Sequence, residues 1–244
     1  MTLSKSALVT GANKGIGNEV AGRLASLGFK VWLGARDAER GTTAASALVA
    51  EGLDVEWLPI DVSSDKSVEA AAKAVRAKGI GLDVLINNAG IAIGYGLDLP
   101  PSRESIADIE AMYDVNVFGP IRVTQAFLPL LLAAPAARIV MVSSSRASLG
   151  RALDPTSEGY AVNIMGYASS KTALNAVTVA FAKELAPFGV KVNAAAPGYT
   201  ATDLNGHRGH RTVQQAAGIV VHLATLDADG PTAGYFSDEG ALPW

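Results

Sequence analysis

The sequence of 244 residues contains no cysteine, which removes disulfides, thiolate nucleophiles and thiolate metal sites from consideration. A reducing compartment is permitted by that absence. There is no run of Lys or Arg either. With 20 basic against 23 acidic residues and a formal net charge of -3, the chain has no source for the phosphate neutralisation on which nucleic-acid affinity rests. The longest apolar stretch, Phe127 to Ala137, is too short for a bilayer span and carries Pro129 and Pro135, so it reads as the end of a core helix. Met1 to Lys5 leads straight into strand-like sequence without the basic, apolar and small-residue regions of a secretory signal. The expectation is a cytoplasmic protein whose partner is a small molecule, with no nucleic acid and no membrane.

What is present is a chain of the right size for one substantial core, with Pro and Gly dispersed and no linker or low-complexity tract. A single domain over residues 1–244 is expected. Short β-type runs at Ala7–Val9, Val31–Leu33, Val55–Leu58, Val84–Ile86, Ile139–Val142 and Val190–Val192 alternate with helical patterns such as Gly15–Leu27, Ala38–Glu51 and Ser63–Lys78. Strands that are apolar on both faces need helices above and below. The order therefore predicts an α/β, Rossmann-type, doubly wound sheet, mainly parallel, with ligand at the carboxyl ends of its strands.

The first strand runs into Thr10-Gly11-Ala12-Asn13-Lys14-Gly15-Ile16-Gly17. Glycines there allow a tight turn and close backbone approach, and the following helix start offers free N–H groups to a pyrophosphate. After the second strand come Arg36, Asp37 and Arg40. A carboxylate at that place suits the ribose hydroxyls of NAD, whereas guanidinium groups suit the 2′-phosphate of NADP by charge and fork geometry. Arg36 and Arg40 favour NADP(H), and Asp37 leaves room for both cofactors. A solvated helix start capped by Asp37 is the other reading of these residues.

These segments resemble the short-chain dehydrogenase/reductase family, and Asn13-Lys14, Ala35-Arg36-Asp37 and Arg40-Gly41 are similar to its carbonyl reductase branch. The resemblance runs on through Asp61-Val62, Asn87-Asn88-Ala89-Gly90, Asn116, Ser143-Ser144, Tyr167-Ala168-Ser169-Ser170-Lys171 and Pro197-Gly198, nearly the whole chain. It implies that Asp61 and Val62 contact the adenine and that Asn88, Ala89 and Gly90 line the cofactor groove. It also implies that the loop from Pro197 and Gly198, with Thr200 or Thr202, meets the nicotinamide carboxamide. An Asp61 that only caps a helix and an Asn87–Gly90 segment that is only a turn are the structural alternatives.

Tyr167 and Lys171 stand four residues apart in a helical segment, so they share one face. An ammonium one turn away favours phenolate over phenol and draws a tyrosine's pKa down from about 10. Such a phenol can quench the alkoxide that forms when hydride reaches a carbonyl carbon. Tyr160, followed four residues later by Ile164, has no such partner and reads as part of a substrate-side loop. Ser143, Ser144 and Ser145 close the fifth strand, where one hydroxyl can hold the carbonyl. The family register assigns the role to Ser144, with Ser143 and Ser145 as alternatives. By the same resemblance Lys171 binds the nicotinamide ribose and Asn116 holds a water of the proton relay, although an asparagine at a helix bend reads equally as structural.

No metal is expected: His207 and His210 lie in the Gly-containing segment Asn205–Arg211 without a third ligand. That segment reads as a flexible lid that could also help bind an acidic substrate. The 22 residues between Ser144 and Tyr167 point to an insertion around Ala147–Met165 that can cover the helical face used for oligomerisation, so a monomer and a homodimer both fit. Gly94–Ile109 should shape the pocket mouth. The whole reading is an NADP-dependent carbonyl reductase acting on a small-molecule carbonyl or alcohol. A reductase of acyl-carrier-bound ketones and a cofactor-sensing binding protein on the same fold are its rivals.

The Arg36 assignment generates a prediction. Arg36→Ala is expected to reduce or reverse a preference for NADPH over NADH, read from cofactor absorbance with a panel of quinones, ketones and aldehydes. An unchanged preference would remove Arg36 from phosphate recognition.

Overall fold

The computed structural model describes residues 5–94, 99–157 and 160–244. Parts of the N-terminal segment, of the pocket-mouth segment and of the insertion discussed above lie outside the described residues.

Eight strands form one sheet in the order β3-β2-β1-β4-β5-β6-β7-β8. They are β1 (Ser6–Thr10), β2 (Lys30–Ala35), β3 (Val55–Pro59), β4 (Val84–Asn87), β5 (Arg138–Val142), β6 (Lys191–Ala195), β7 (Tyr235–Ser237) and β8 (Gly240–Ala241). All neighbours pair in parallel except β7 with β8. The expected doubly wound, mainly parallel sheet is therefore the observed one, and the strand order reverses between β1 and β4, opening a crevice at their carboxyl ends. The last two strands gave no expectation from sequence. They are short, and β8 is exposed.

Side-chain alternation divides the core in two. Val9, Val31 and Leu33 pack with Val20 and Leu24 of α1 (Gly15–Ser26), Leu48 of α2 (Ala38–Ala50) and Val220 of α8 (Val213–Ala224). On the other face Leu8, Trp32 and Ile139 pack with Val68 of α3 (Asp65–Ala77), Phe127 of α5 (Gly119–Leu132) and Leu174 of α7 (Met165–Leu185). Both faces are covered, as continuous apolar strands require.

Local chemistry sets the helix starts. Asp37 accepts from the Arg40 N–H at 2.9 Å and Ser64 from the Ser67 N–H at 3.3 Å, each satisfying an orphan donor of a first turn. Helix α7 has no side-chain cap of its own. Glu104 supplies one from a distance, its two carboxylate oxygens accepting from the N–H groups of Met165 and Gly166, both at 2.7 Å. A carboxylate there also complements the helix dipole.

Helix α4 (Ile106–Tyr113) continues through a π turn, Asp114–Phe118, into α5. By length and composition this run is long and apolar enough to cross a membrane. Here Met112, Val117, Phe127 and Leu131 are buried in the protein, and Arg122 pairs with Asp65 and Asp114, which makes it a core element. Of the stretch Phe127 to Ala137, the part up to Leu132 is the end of a core helix and the rest lies beyond it.

Candidate active site

The crevice at the switch point is a single cleft of about 1020 Å³. Every cofactor candidate named from the sequence lines it: the glycine loop, Arg36, Arg40, Asp61, Val62, Asn88–Gly90, Pro197, Gly198, Thr200 and Thr202. Ser143, Ser144, Ser145, Tyr167 and Lys171 line it too. Asn116 is fully buried behind the wall. Tyr160 is exposed and outside the cleft lining.

The glycine loop is built for close approach. Gly11 and Gly15 have φ of 63° and 59°, a region costly for a residue with a Cβ, and a Cβ on Gly17 would lie 2.4 Å from the Asn88 amide nitrogen. That amide donates to the Thr10 carbonyl at 2.8 Å, while Thr10 Oγ1 accepts from the N–H groups of Asn88 and Ala89 at 3.0 and 3.1 Å. The end of β4 is thus stitched to the β1 loop, so Asn88–Gly90 is both a cleft wall and a structural turn.

At the β2 end, Asp37 is committed to capping α2, while Arg36 and Arg40 stand exposed at the cleft. Asp61 takes two hydrogen bonds from Ser63, at 3.0 Å from the N–H and 2.6 Å from the hydroxyl. Burial pushes its carboxyl up, but those bonds and the charges of Arg36 and Arg122 outweigh it and hold the group below its usual range. Asp61 therefore braces a loop as well as lining the cleft.

Across the cleft, the loop after β6 reaches the glycine loop. Lys14 pairs with Asp203, whose other oxygen lies 2.8 Å from His207 Nε2. Hydrogen bonding to Lys14, then its charge and His207, hold the Asp203 carboxyl below its usual range. Thr202 approaches to 3.6 Å from where a Gly15 Cβ would stand. The Thr200 hydroxyl turns back onto the Gly198 carbonyl at 3.1 Å. The segment expected as a lid is tied at both ends, Asn205 donating to the Thr200 carbonyl at 2.8 Å and Arg211 bridging Thr200. His210 meets the Tyr199 ring edge-on. Among the described residues no cluster of three or more His, Asp or Glu can hold a metal ion.

Tyr167 and Lys171 lie on one face of α7, with the ammonium 5.9 Å from the phenol ring centroid. Lys171 is almost fully buried and donates to the Val142 carbonyl at 2.9 Å. Burial lowers its pKa to about 8. Gly90 makes room for it, since a Cβ there would stand 3.3 Å from both Lys171 Nζ and Asn116 Oδ1. Asn116 sits in the middle of the π turn, a helix irregularity common at functional sites. Its Oδ1 accepts from Ile91 N–H at 2.9 Å, and its Nδ2 donates to the Ile91 carbonyl at 2.9 Å and to Ser170 Oγ at 3.0 Å. Its side chain fastens the cleft wall to α7, the structural one of its two readings.

Two residues that sequence reasoning passed over hold the serine loop. Asn175, one further turn along the Tyr167–Lys171 face, accepts from the Ser143 hydroxyl at 2.7 Å. Tyr235 of β7, fully buried, donates its hydroxyl to the Ser144 carbonyl, and Trp244 stacks on its ring at 5.5 Å. Burial pushes the Tyr235 phenol far above its usual range. Three consecutive residues, 142 to 144, are thereby gripped by Lys171, Asn175 and Tyr235. Ser143 is committed to the core, and Ser144, still in extended backbone, turns its hydroxyl to accept from the Arg146 N–H at 3.3 Å. The position of Asn175 at Tyr167 plus eight was a readable signal. Tyr235, 91 residues from Ser144, carried none.

A family model described as short chain dehydrogenase matches residues 5–212. The short-chain dehydrogenase anuI of Penicillium roqueforti is 36% identical over 225 residues, covering 89% of this chain and 87% of that protein. The NADPH carbonyl reductase 1 of Mus musculus is 32% identical and covers 98% of each chain. Among solved structures, the NADPH-bound carbonyl reductase from chicken fatty liver superposes with a TM-score of 0.85, at 29% identity and 99% coverage of both chains.

The grip on the serine loop predicts that Tyr235→Phe, which leaves the Ser144 carbonyl only its bond from the Ala147 N–H at 2.8 Å, costs about 0.5–1.5 kcal/mol. Thermal denaturation should register this as a fall of roughly 2–4 °C per kcal/mol for a chain of this size. An unchanged midpoint would show that the Ser144 carbonyl does not depend on that donor.

Proposed function

The chain belongs to the short-chain dehydrogenase family, and from that premise we infer that it is an NADP-dependent oxidoreductase transferring a hydride between NADP(H) and a small-molecule carbonyl or alcohol. The observation that carries this reading is one cleft with Tyr167 and the buried Lys171 at one end and the exposed Arg36 and Arg40 at the other. Its location in the cell is read as cytoplasmic.

The residues present fit the dinucleotide. Gly11, Gly15 and Gly17 leave the backbone bare where Cβ atoms would be strained or would collide, and the start of α1 faces the same space. Asp37 is held by its helix, so the guanidinium groups of Arg36 and Arg40 would hold the 2′-phosphate. Ile16, Lys14 and Asn13 flank the pyrophosphate, Asp61 and Val62 the adenine, and Pro197, Gly198, Thr200 and Thr202 the carboxamide. NADPH, when bound, supplies the hydride from its nicotinamide ring.

The chain supplies the proton and the orientation. Ser144 donates a hydrogen bond to the substrate oxygen and sets the carbonyl beside the Tyr167 hydroxyl. Tyr167 gives its proton to that oxygen as negative charge develops there, an effect worth about 100- to 10,000-fold. Lys171 favours the resulting phenolate by charge, since an ammonium in a site with little water acts at low effective dielectric. It can do so because its three donors exceed the single bond it spends on Val142. Asn116 acts by bracing the Ile91 backbone against α7, and it keeps its proposed part in the proton relay.

Two measurements test this. Tyr167→Phe is expected to bind NADPH within about threefold of the parent while losing at least about 100-fold in kcat; full turnover would assign the proton to another acid. In the second, kcat/KM for NADPH reports groups of the free enzyme. With the Lys171 pKa lowered to about 8, the ammonium is present below that pH and lost above it. The profile should therefore fall as pH rises through about 8, and a flat profile up to about pH 10 would exclude the ammonium from the rate.

A further inference from the structure

Two arginines at the serine end of the cleft stand outside every ion pair among the described residues. Arg146 follows the serine cluster directly, its backbone N–H bonded to Ser144 Oγ at 3.3 Å. Arg151 lies on α6 (Leu149–Ala152), whose first turn is capped by Ser148. Both line the cleft and both are half-buried.

The acids that share this cleft are mostly spent elsewhere. Asp203 is held by Lys14 and His207, and Asp238 by Arg211. Asp154, three residues after Arg151, feels its charge but forms no salt bridge with it, turning its carboxylate to Thr156, at 2.9 Å from the N–H and 2.7 Å from the hydroxyl. Glu239 is exposed and pairs with neither arginine. Arg151 lines the same cleft as Ser144 and Tyr167. The 2′-phosphate of the cofactor cannot be its partner. Arg36 follows β2 and Arg146 follows β5, and these strands are three spacings apart in the sheet, about 14 Å.

A half-buried guanidinium with no partner is left short of both hydration and charge compensation, and a carboxylate restores both through a forked pair of hydrogen bonds. We propose that the carbonyl substrate carries an anionic group, a carboxylate by chemical class, and that Arg146 and Arg151 form its subsite beside Ser144. This rests on the hydride-transfer reading above. It narrows the substrate from any small ketone or aldehyde to an oxo acid, and the stretch from Arg146 to Arg151 becomes the specificity element.

The test uses para-formylbenzoate and its methyl ester, aldehydes that differ by one charge and of which the ester is intrinsically the better hydride acceptor, so that a preference for the acid runs against intrinsic reactivity, with the meta isomers as a second pair. Each is offered to the NADPH-loaded parent protein and to Arg146→Gln, Arg151→Gln and the double variant. Binding is followed by cofactor fluorescence and turnover by cofactor absorbance, with the NADPH dissociation constant and thermal midpoint of each variant as folding checks. The parent is expected to favour the acid over its ester by at least about tenfold in kcat/KM and in affinity, and the double variant to bring that ratio to within about threefold of unity.

An acid-to-ester ratio near unity in the parent, or one that survives in the folded double variant, would overturn the subsite. A loss of turnover equal for acid and ester would do the same, by making the arginines general to catalysis. If the acid binds in an arginine-dependent way yet neither aldehyde is reduced, the subsite stands and the hydride-transfer reading falls.

Discussion

The buried ammonium of Lys171, bonded to the last carbonyl of β5, is the contact on which the site depends. It crosses from α7 to the sheet at the carboxyl end of a central strand, and it fixes the distance between the tyrosine on the helix and the serine that follows the strand. A charge so deeply buried is costly in isolation. It is tolerated because a backbone carbonyl accepts from it and because Gly90 leaves the space that a Cβ would fill. The same burial lowers its pKa, so the group that anchors the geometry also titrates within reach of working pH.

Around that contact the protein repeats one device, a polar side chain from a distant element holding a backbone group next to the cleft. Thr10 holds Asn88 and Ala89, Asn116 holds Ile91, Tyr235 holds Ser144, and Glu104 holds the first turn of α7. Each adds a hydrogen bond to a backbone group beside the cleft, on top of a backbone bond in the case of the Asn88 N–H and the Ser144 carbonyl. Each also restricts a loop that must present chemistry, so the polar network and the preorganisation of the cleft are one arrangement.

Charge is distributed with similar economy in a chain of net charge -3. The cationic groups at the cleft form separate stations: Arg36 and Arg40 beside β2, Lys171 in the middle, and Arg146 and Arg151 beyond β5. Lys14, by contrast, is neutralised by Asp203 in a bridge across the cleft mouth. Stations three strands apart cannot serve one phosphate, so the sheet spacing itself separates recognition of cofactor from recognition of substrate.

The chain by itself determined the alternation of strands and helices, the parallel sheet, the glycine loop and the Tyr167–Lys171 pair. These depend on neighbours in sequence: hydrophobic period, turn residues and a four-residue spacing on a helix. The tertiary structure alone decided that Ser143 is bound to Asn175 and Ser144 is left facing the cleft, and that Asn116 sits in a π turn bonded to Ile91. It also supplied Glu104 and Tyr235, and it showed Arg146 and Arg151 outside every ion pair among the described residues. Those outcomes rest on contacts between residues 25 to 91 positions apart, or on the lack of one, and no local pattern encodes which distant group will fill a given space.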